Sequence, residues 1–203
     1  MTESLRIGLF GGSFDPIHHA HLATGRAAAQ AFGLGRLLFL PASAPPHKGQ
    51  VSLPEARGEM VRFAIADEPL FDFSDHDLRP GPTYAIDTVT HFRAAWPSAR
   101  LFWIIGADWV SGLGGWRRAA ELVDACEIVT VARPGWSPDL SPLGGSLSPE
   151  QISRIRGNIL DAPGLDISST EIRRLVASGH PIRHLVPERV ADFIESRGLY
   201  QSV

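Results

Sequence analysis

His18 and His21 stand three residues apart at the head of an Ala-rich stretch that runs from His19 to Phe32. At the start of a helix this spacing sets two imidazoles on one face, where they can converge on one ligand. Beside a phosphate both rings are driven toward the protonated form and donate hydrogen bonds. Taken alone, such a pair is more often a surface or capping pair. As a zinc site it lacks a third recognisable ligand and the i, i+4 spacing of zinc helices. Directly upstream, Gly11 and Gly12 allow the backbone to turn sharply and to approach a phosphate, and the helix that follows aims unpaired N–H groups at any anion there. The spacing is not G-x-G-x-x-G, and the chain contains no G-x-x-x-x-G-K-[ST] loop, so two large nucleotide-binding classes lose support.

A second group lies near the C-terminus. Ser168 followed by Glu171 is a capping-box pattern before an apolar helical face, so helix initiation is its plain reading. A capped helix start also attracts anions, and Arg173 adds a permanent charge with bidentate geometry. Between the two groups, Asp108 follows an apolar run and Gly106, where a carboxylate can cap the next segment. Trp116 reads as a core aromatic, as most tryptophans do. Lys48 sits in a Pro-rich stretch and reads as a mobile surface lysine or as a phosphate contact.

These residues need elements to hold them. Ile7 to Phe10 reads as a strand, His19 to Phe32 as a helix stopped by Gly33 and Gly35, and Leu37 to Pro41 as a second strand, together a βαβ unit. A helix opened by Pro54 presents Ala56, Met60, Phe63 and Ala64 on one face, and another presents Ala85, Ile86, Val89, Phe92 and Trp96. Leu101 to Ile105 and Glu127 to Ala132 read as strands buried on both faces. Arg133 to Pro149, rich in Pro, Gly and Ser, reads as a surface loop or insertion. Two further helices follow, marked by Ile172, Leu175 and Val176 and by Val190, Phe193 and Ile194 after Pro187. The expectation is an α/β fold, a Rossmann-like open, mostly parallel sheet with helices on both faces and a small helical C-terminal part over 165–203. Residues 1–203 form one expected domain. In such sheets ligands bind beyond the C-terminal ends of strands, where Gly11-Gly12 and Gly106-Ala107-Asp108 fall.

The 203 residues suffice for a substantial core, and the hydrophobic fraction of 44% with 20% charged residues lacks the signature of disorder. The formal net charge of −3 gives no overall positive field for nucleic acid. Cys126 is the single cysteine, expected buried in a strand, and no disulfide can form within the chain. No segment approaches the roughly 18 apolar residues of a membrane span, and no signal peptide is visible, so a cytoplasmic protein is expected.

Read together, Gly11-Gly12-Ser13-Phe14-Asp15-Pro16-Ile17-His18-His19-Ala20-His21 resembles the GG[ST]FDPxHxGH head of the HxGH nucleotidyltransferases. Pro45-Pro46-His47-Lys48 is similar to the PPHK loop of the nicotinate-mononucleotide adenylyltransferase branch, and Gly81-Pro82-Thr83-Tyr84-Ala85 to its PSYT segment. Gly106-Ala107-Asp108, Trp116, Arg133-Pro134-Gly135 and the ISxTxxR-like run from Ile167 to Arg173 complete a likeness that covers nearly the whole chain. Ala20 departs from the family's Gly, and Ala85 from its frequent Thr.

The resemblance implies adenylyl transfer from ATP to nicotinate mononucleotide. It implies His18, His21 and Arg173 as catalytic residues and Gly11, Gly12, Ser13, Phe14, Ser168 and Thr170 as ATP-binding. Lys48, Tyr84, Ala85, Asp108 and Trp116 are implied for the mononucleotide. Mg²⁺ is expected to come with ATP and no dedicated protein metal site is expected. The alternatives are another enzyme with the same head acting on phosphopantetheine or an alcohol phosphate, and a non-catalytic nucleotide-binding module.

Overall fold

The computed structural model describes residues 4–43, 52–132, 137–161 and 165–201. Six strands form one sheet: β1 (Arg6–Gly12), β2 (Arg36–Pro41), β3 (Phe71–Phe73), β4 (Arg100–Gly106), β5 (Glu127–Ala132) and β6 (Ile159–Asp161). Their spatial order is β3-β2-β1-β4-β5-β6, and every described pairing is parallel. The order runs outward from β1 in both directions, so the chain reverses between β1 and β4. That reversal opens a crevice at the C-terminal strand ends.

The strands read as continuous apolar runs because both faces are covered. Phe10, Phe39, Phe102, Ile104, Val129 and Val131 point into one core. On that side lie α1 (His19–Phe32), α2 (Pro54–Ile65), α7 (Ser169–Ala177) and α8 (Glu188–Ser196), so the C-terminal helices share a core with the first βαβ unit. The alternate residues Ile7, Leu9, Leu38, Leu101, Trp103 and Ile128 enter a second core. There they meet α3 (Ala85–Ala95), the short α4 (Ala107–Val110), α5 (Ala119–Ala125) and α6 (Pro149–Gly157). The period-2 alternation of each strand thus feeds two apolar layers.

Local signals account for most boundaries. Gly33, with φ of 58°, closes α1 in the left-handed conformation, its N–H returning to the Ala29 carbonyl. Pro54 stands in the first turn of α2. The segment expected as a surface loop from Arg133 to Pro149 is corrected over its described part. Ser141–Gly145 is a 3₁₀ helix, and Leu140, Leu143 and Leu147 are buried in the second core. Beyond it, α6 and β6 were not anticipated. Ser148 opens α6 with a reciprocal capping box: its hydroxyl accepts from the Gln151 N–H at 3.3 Å, and the Gln151 side chain accepts from the Ser148 N–H at 2.9 Å. Cys126 is buried, but at the C-cap of α5 rather than inside a strand. Burial pushes its thiol up to about 12, which leaves it chemically quiet.

Candidate active site

Gly11 and Gly12 are the last residues of β1, and neither has positive φ, so the expected sharp glycine turn is corrected. Their small size serves contact instead. A Cβ on Gly11 would lie 2.8 Å from the Trp103 ring, and one on Gly12 would lie 2.9 Å from the Phe14 ring. The unusual backbone falls on Phe14, whose φ is 46°. That conformation is strained for a bulky residue. It is held because the ring is buried edge-on to Phe10 at 5.5 Å and to His21 at 5.1 Å.

The histidines do not sit side by side within the helix. His18 is the N-cap of α1, with extended backbone, and His21 occupies the third helical position. Their rings stack at 3.7 Å. Nδ1 of His21 accepts the His18 backbone N–H at 3.3 Å, so the ring carries its proton on Nε2 in this arrangement. His21 thus takes part in capping the start of α1. The cap fixes the tautomer that makes His21 a hydrogen-bond donor. Ala20 adopts helical geometry without positive φ, so the family's Gly is not needed there for backbone reasons.

The C-terminal motif is docked onto the head loop. Ser168 caps α7 by accepting the Glu171 N–H at 3.2 Å. The capping box is only half formed, because the Glu171 carboxylate is engaged by Arg174 at 2.6 and 2.8 Å. The Ser169 hydroxyl donates to the Pro16 carbonyl at 2.9 Å, and Arg173 donates to the Asp15 carbonyl at 2.7 Å. Residues more than 150 positions apart are thereby joined.

Below this junction lies a buried polar hub that the sequence reading missed. Arg57 is fully buried on the inner face of α2. Its guanidinium donates to the carbonyls of Ser13 at 2.9 Å, Ala42 at 2.5 Å, Ser43 at 2.9 Å and Ser52 at 3.0 Å. The Asp15 carboxylate, equally buried, accepts from the Tyr200 hydroxyl at 2.7 Å and from the Ser52 N–H at 3.2 Å. Burial lowers the Arg57 guanidinium from its ordinary value, and the nearby charge of Asp15 opposes that shift. Burial, reinforced by the same carboxylate, pushes the Tyr200 hydroxyl up, so it remains a donor. The head loop, the end of β2 and the C-terminus are held by this one network.

The crevice at the strand reversal is a cavity of about 1040 Å³. Gly11, Gly12, Ser13, Phe14, His18, His21, Ser168 and Thr170 line one part of it, and Tyr84, Ala85, Asp108 and Trp116 also line it. Of the expected residues, Arg173 does not line the cavity and is turned to Asp15 and Thr170, and Lys48 lies outside the described residues. Ala85 is the first residue of α3. Asp77, Arg117, Trp109 and Asp166 also line the cavity and were not singled out from sequence. Asp77 is buried, accepts from the Thr88 hydroxyl at 2.8 Å, and is raised by burial toward its neutral form. Among the described residues, no three His, Cys, Asp or Glu side chains converge so as to hold a metal ion, and no helix is long and apolar enough to cross a membrane.

Residues 9–175 match the model of the cytidylyltransferase-like family. A protein of Symbiobacterium thermophilum, named as a probable nicotinate-nucleotide adenylyltransferase, is 42% identical over 96% of this chain and 95% of its own length. A Thermus thermophilus protein of the same name is 42% identical over 97% of this chain and 100% of its own. Among solved structures, the Plasmodium falciparum nicotinic acid mononucleotide adenylyltransferase complexed with NaAD superposes with a TM-score of 0.76 over 97% of both chains, at 18% identity. At that identity the likeness speaks for the fold.

Proposed function

The chain belongs to the cytidylyltransferase-like family, in the branch of the nicotinate-nucleotide adenylyltransferases, and on that basis we propose that it transfers the adenylyl group of ATP to nicotinate mononucleotide. The products are deamido-NAD and pyrophosphate, on the route to NAD. The observation that carries this reading is a single cavity at the strand reversal. Its wall combines a histidine pair at a helix start with Tyr84 and Trp116, two aromatic rings suited to a pyridine.

In the proposed reaction a phosphate oxygen of the mononucleotide attacks the α-phosphorus of ATP. The new P–O bond forms as the bond from the α-phosphorus to the bridging oxygen of the β-phosphate breaks, and pyrophosphate leaves with that electron pair. The second pKa of a phosphate monoester is about 6, so the nucleophile is already largely a dianion at neutral pH and no general base is required. Positioning and charge neutralisation then supply the acceleration. His18 and His21 act on the α-phosphate and leaving group. Ser168, Thr170 and the start of α7 take the triphosphate, with Arg173 behind them adding positive charge. Gly11 to Phe14 set the floor. Tyr84 and Trp116 hold the pyridine, the first turn of α3 at Ala85 offers backbone N–H groups, and Asp108 takes the ribose. Lys48 is assigned to the mononucleotide phosphate by family resemblance alone. Mg²⁺ enters on the triphosphate as part of the substrate.

An acceptor panel tests the assignment. With MgATP, pyrophosphate release is expected with nicotinate mononucleotide and at background level with phosphopantetheine or an alcohol phosphate. Release with phosphopantetheine alone would assign a different branch, and no release with any acceptor would identify a binding module.

A further inference from the structure

Among the described residues, three that are not glycine adopt positive φ: Phe14 at 46°, Arg118 at 53° and Tyr200 at 65°. Two of the three stand at one contact. Tyr200 lies beyond α8, and its hydroxyl donates to the Asp15 carboxylate at 2.7 Å across 185 positions of chain. Asp15 is 1% exposed and directly follows Phe14. A bulky side chain in the left-handed region is strained and persists only where its surroundings over-determine it. Around Phe14 they do. The carbonyls of its two neighbours are both held by arginines, Ser13 by Arg57 at 2.9 Å and Asp15 by Arg173 at 2.7 Å. The Asp15 side chain accepts from the Ser52 N–H at 3.2 Å on one oxygen and from Tyr200 on the other. The Tyr200 ring packs on the first core, with its hydroxyl 3.9 Å from the Met60 sulfur, so the donor is anchored as firmly as its acceptor.

We propose that Tyr200 is a positioning residue for adenylyl transfer, its hydroxyl holding Asp15 so that the head loop keeps His21 and Arg173 in one arrangement around the reacting phosphates. The assignment rests on the proposed reaction and deepens it. Two paths lead from the hydroxyl to the site. Asp15 places its own carbonyl, which orients the Arg173 guanidinium, and that guanidinium also donates to the Thr170 hydroxyl at 3.3 Å on the cavity wall. Asp15 also fixes the backbone at Phe14, whose ring stands edge-on to His21 at 5.1 Å on the same wall. Tyr200 does not line the cavity, so it acts through these residues and not on substrate. Where no general base is required, acceleration depends on placement, and a displacement of about 1 Å costs roughly 10²-fold. A loosened head loop still binds ATP through its other contacts but reaches the aligned geometry less often, so the loss falls on kcat more than on KM.

The test measures Tm, kcat and KM for the wild-type enzyme, Tyr200→Phe, Asp15→Asn and the double variant, with MgATP and nicotinate mononucleotide, well below the Tm of each. Tyr200→Phe keeps the ring and deletes only the hydroxyl, so the chain should fold with a Tm a few degrees lower. Its kcat should fall about 10-fold, with KM for both substrates within about threefold of wild type. In the Asp15→Asn background the same deletion should cost kcat markedly less, because a neutral amide accepts the hydroxyl less strongly than a carboxylate. An unchanged kcat in Tyr200→Phe, whether or not the Tm falls, would make the contact structural alone and overturn the assignment. So would a loss confined to KM, or losses that simply multiply in the double variant. If Asp15→Asn does not fold, the division of the Tyr200→Phe loss between kcat and KM decides by itself. A wild-type enzyme that does not adenylylate nicotinate mononucleotide would instead overturn the proposed reaction, and this assignment with it.

Discussion

Arg57→Ala is expected to destabilise the protein by about 3–5 kcal/mol, the range for breaking a buried charged interaction. The substitution removes the donors to four carbonyls, at Ser13, Ala42, Ser43 and Ser52, and takes one cation away from the buried Asp15 carboxylate. Each stranded acceptor costs on the order of 1–3 kcal/mol, but water entering the vacated space recovers part of the sum, so the whole falls well short of simple addition. For a domain of this size the loss corresponds to a fall in Tm of roughly 6 to 20 °C. Arg57→Lys should restore only a fraction, because an ammonium has three donors at one point and the four carbonyls are arranged around a planar fork. Urea denaturation of the three proteins is the measurement. An Arg57→Ala unfolding free energy within about 0.5 kcal/mol of wild type would show that the hub is not what holds the head loop.

His21→Ala should lower kcat about 10²-fold or more, the scale for removing one preorganised donor to developing charge, and should change KM much less. The geometry makes this sharper than a generic histidine deletion. Because Nδ1 receives the His18 N–H, the ring is fixed in the tautomer that donates from Nε2, and the stacked His18 restrains its plane. The same change removes a helix cap, for which a loss of about 1 kcal/mol is expected. His21→Asn separates the two contributions, since a shorter side chain can cap without carrying the imidazole to the reacting phosphates. Catalysis recovered by Asn would make His21 a capping residue, and an unchanged kcat in the Ala variant would remove it from the reaction.

The long buried strands and the amphipathic helices were legible in the sequence because hydrophobic period is set by the elements themselves. Ile7 to Phe10, Leu101 to Ile105 and Glu127 to Ala132 fall inside β1, β4 and β5. What escaped was short or disguised. β3 and β6 have three residues each, too few to show a period, and their edge positions bury little. The start of α6 did carry a signal, Ser148-Pro149-Glu150-Gln151, but the helix has few apolar residues and its neighbourhood is rich in Gly and Pro. Arg57 was invisible for a different reason. An arginine on a helical face reads as solvent-exposed, and only the three-dimensional meeting of four carbonyls makes its burial tolerable.

The candidate site was legible to the extent that it is local. The head from Gly11 to His21 and the run from Ile167 to Arg173 could be read as anion-binding helix starts, whereas their junction through Asp15, Pro16 and Ser169 could not. Gly11 and Gly12 stand out in the sequence, but their small size answers to Trp103 and Phe14 and not to a turn. Tyr200 gave no sequence signal, since a tyrosine just beyond an amphipathic helix looks like an ordinary packing aromatic. Its interest arises only from the buried carboxylate it meets.

The most direct test follows the adenylyl group itself. With ATP labelled at the α-phosphorus, Mg²⁺ and nicotinate mononucleotide, the label should appear in a dinucleotide with the mass of deamido-NAD, in a one-to-one ratio with unlabelled pyrophosphate. Label that remains in ATP, that appears as free AMP, or that transfers only to a different phosphate acceptor would contradict the proposed reaction.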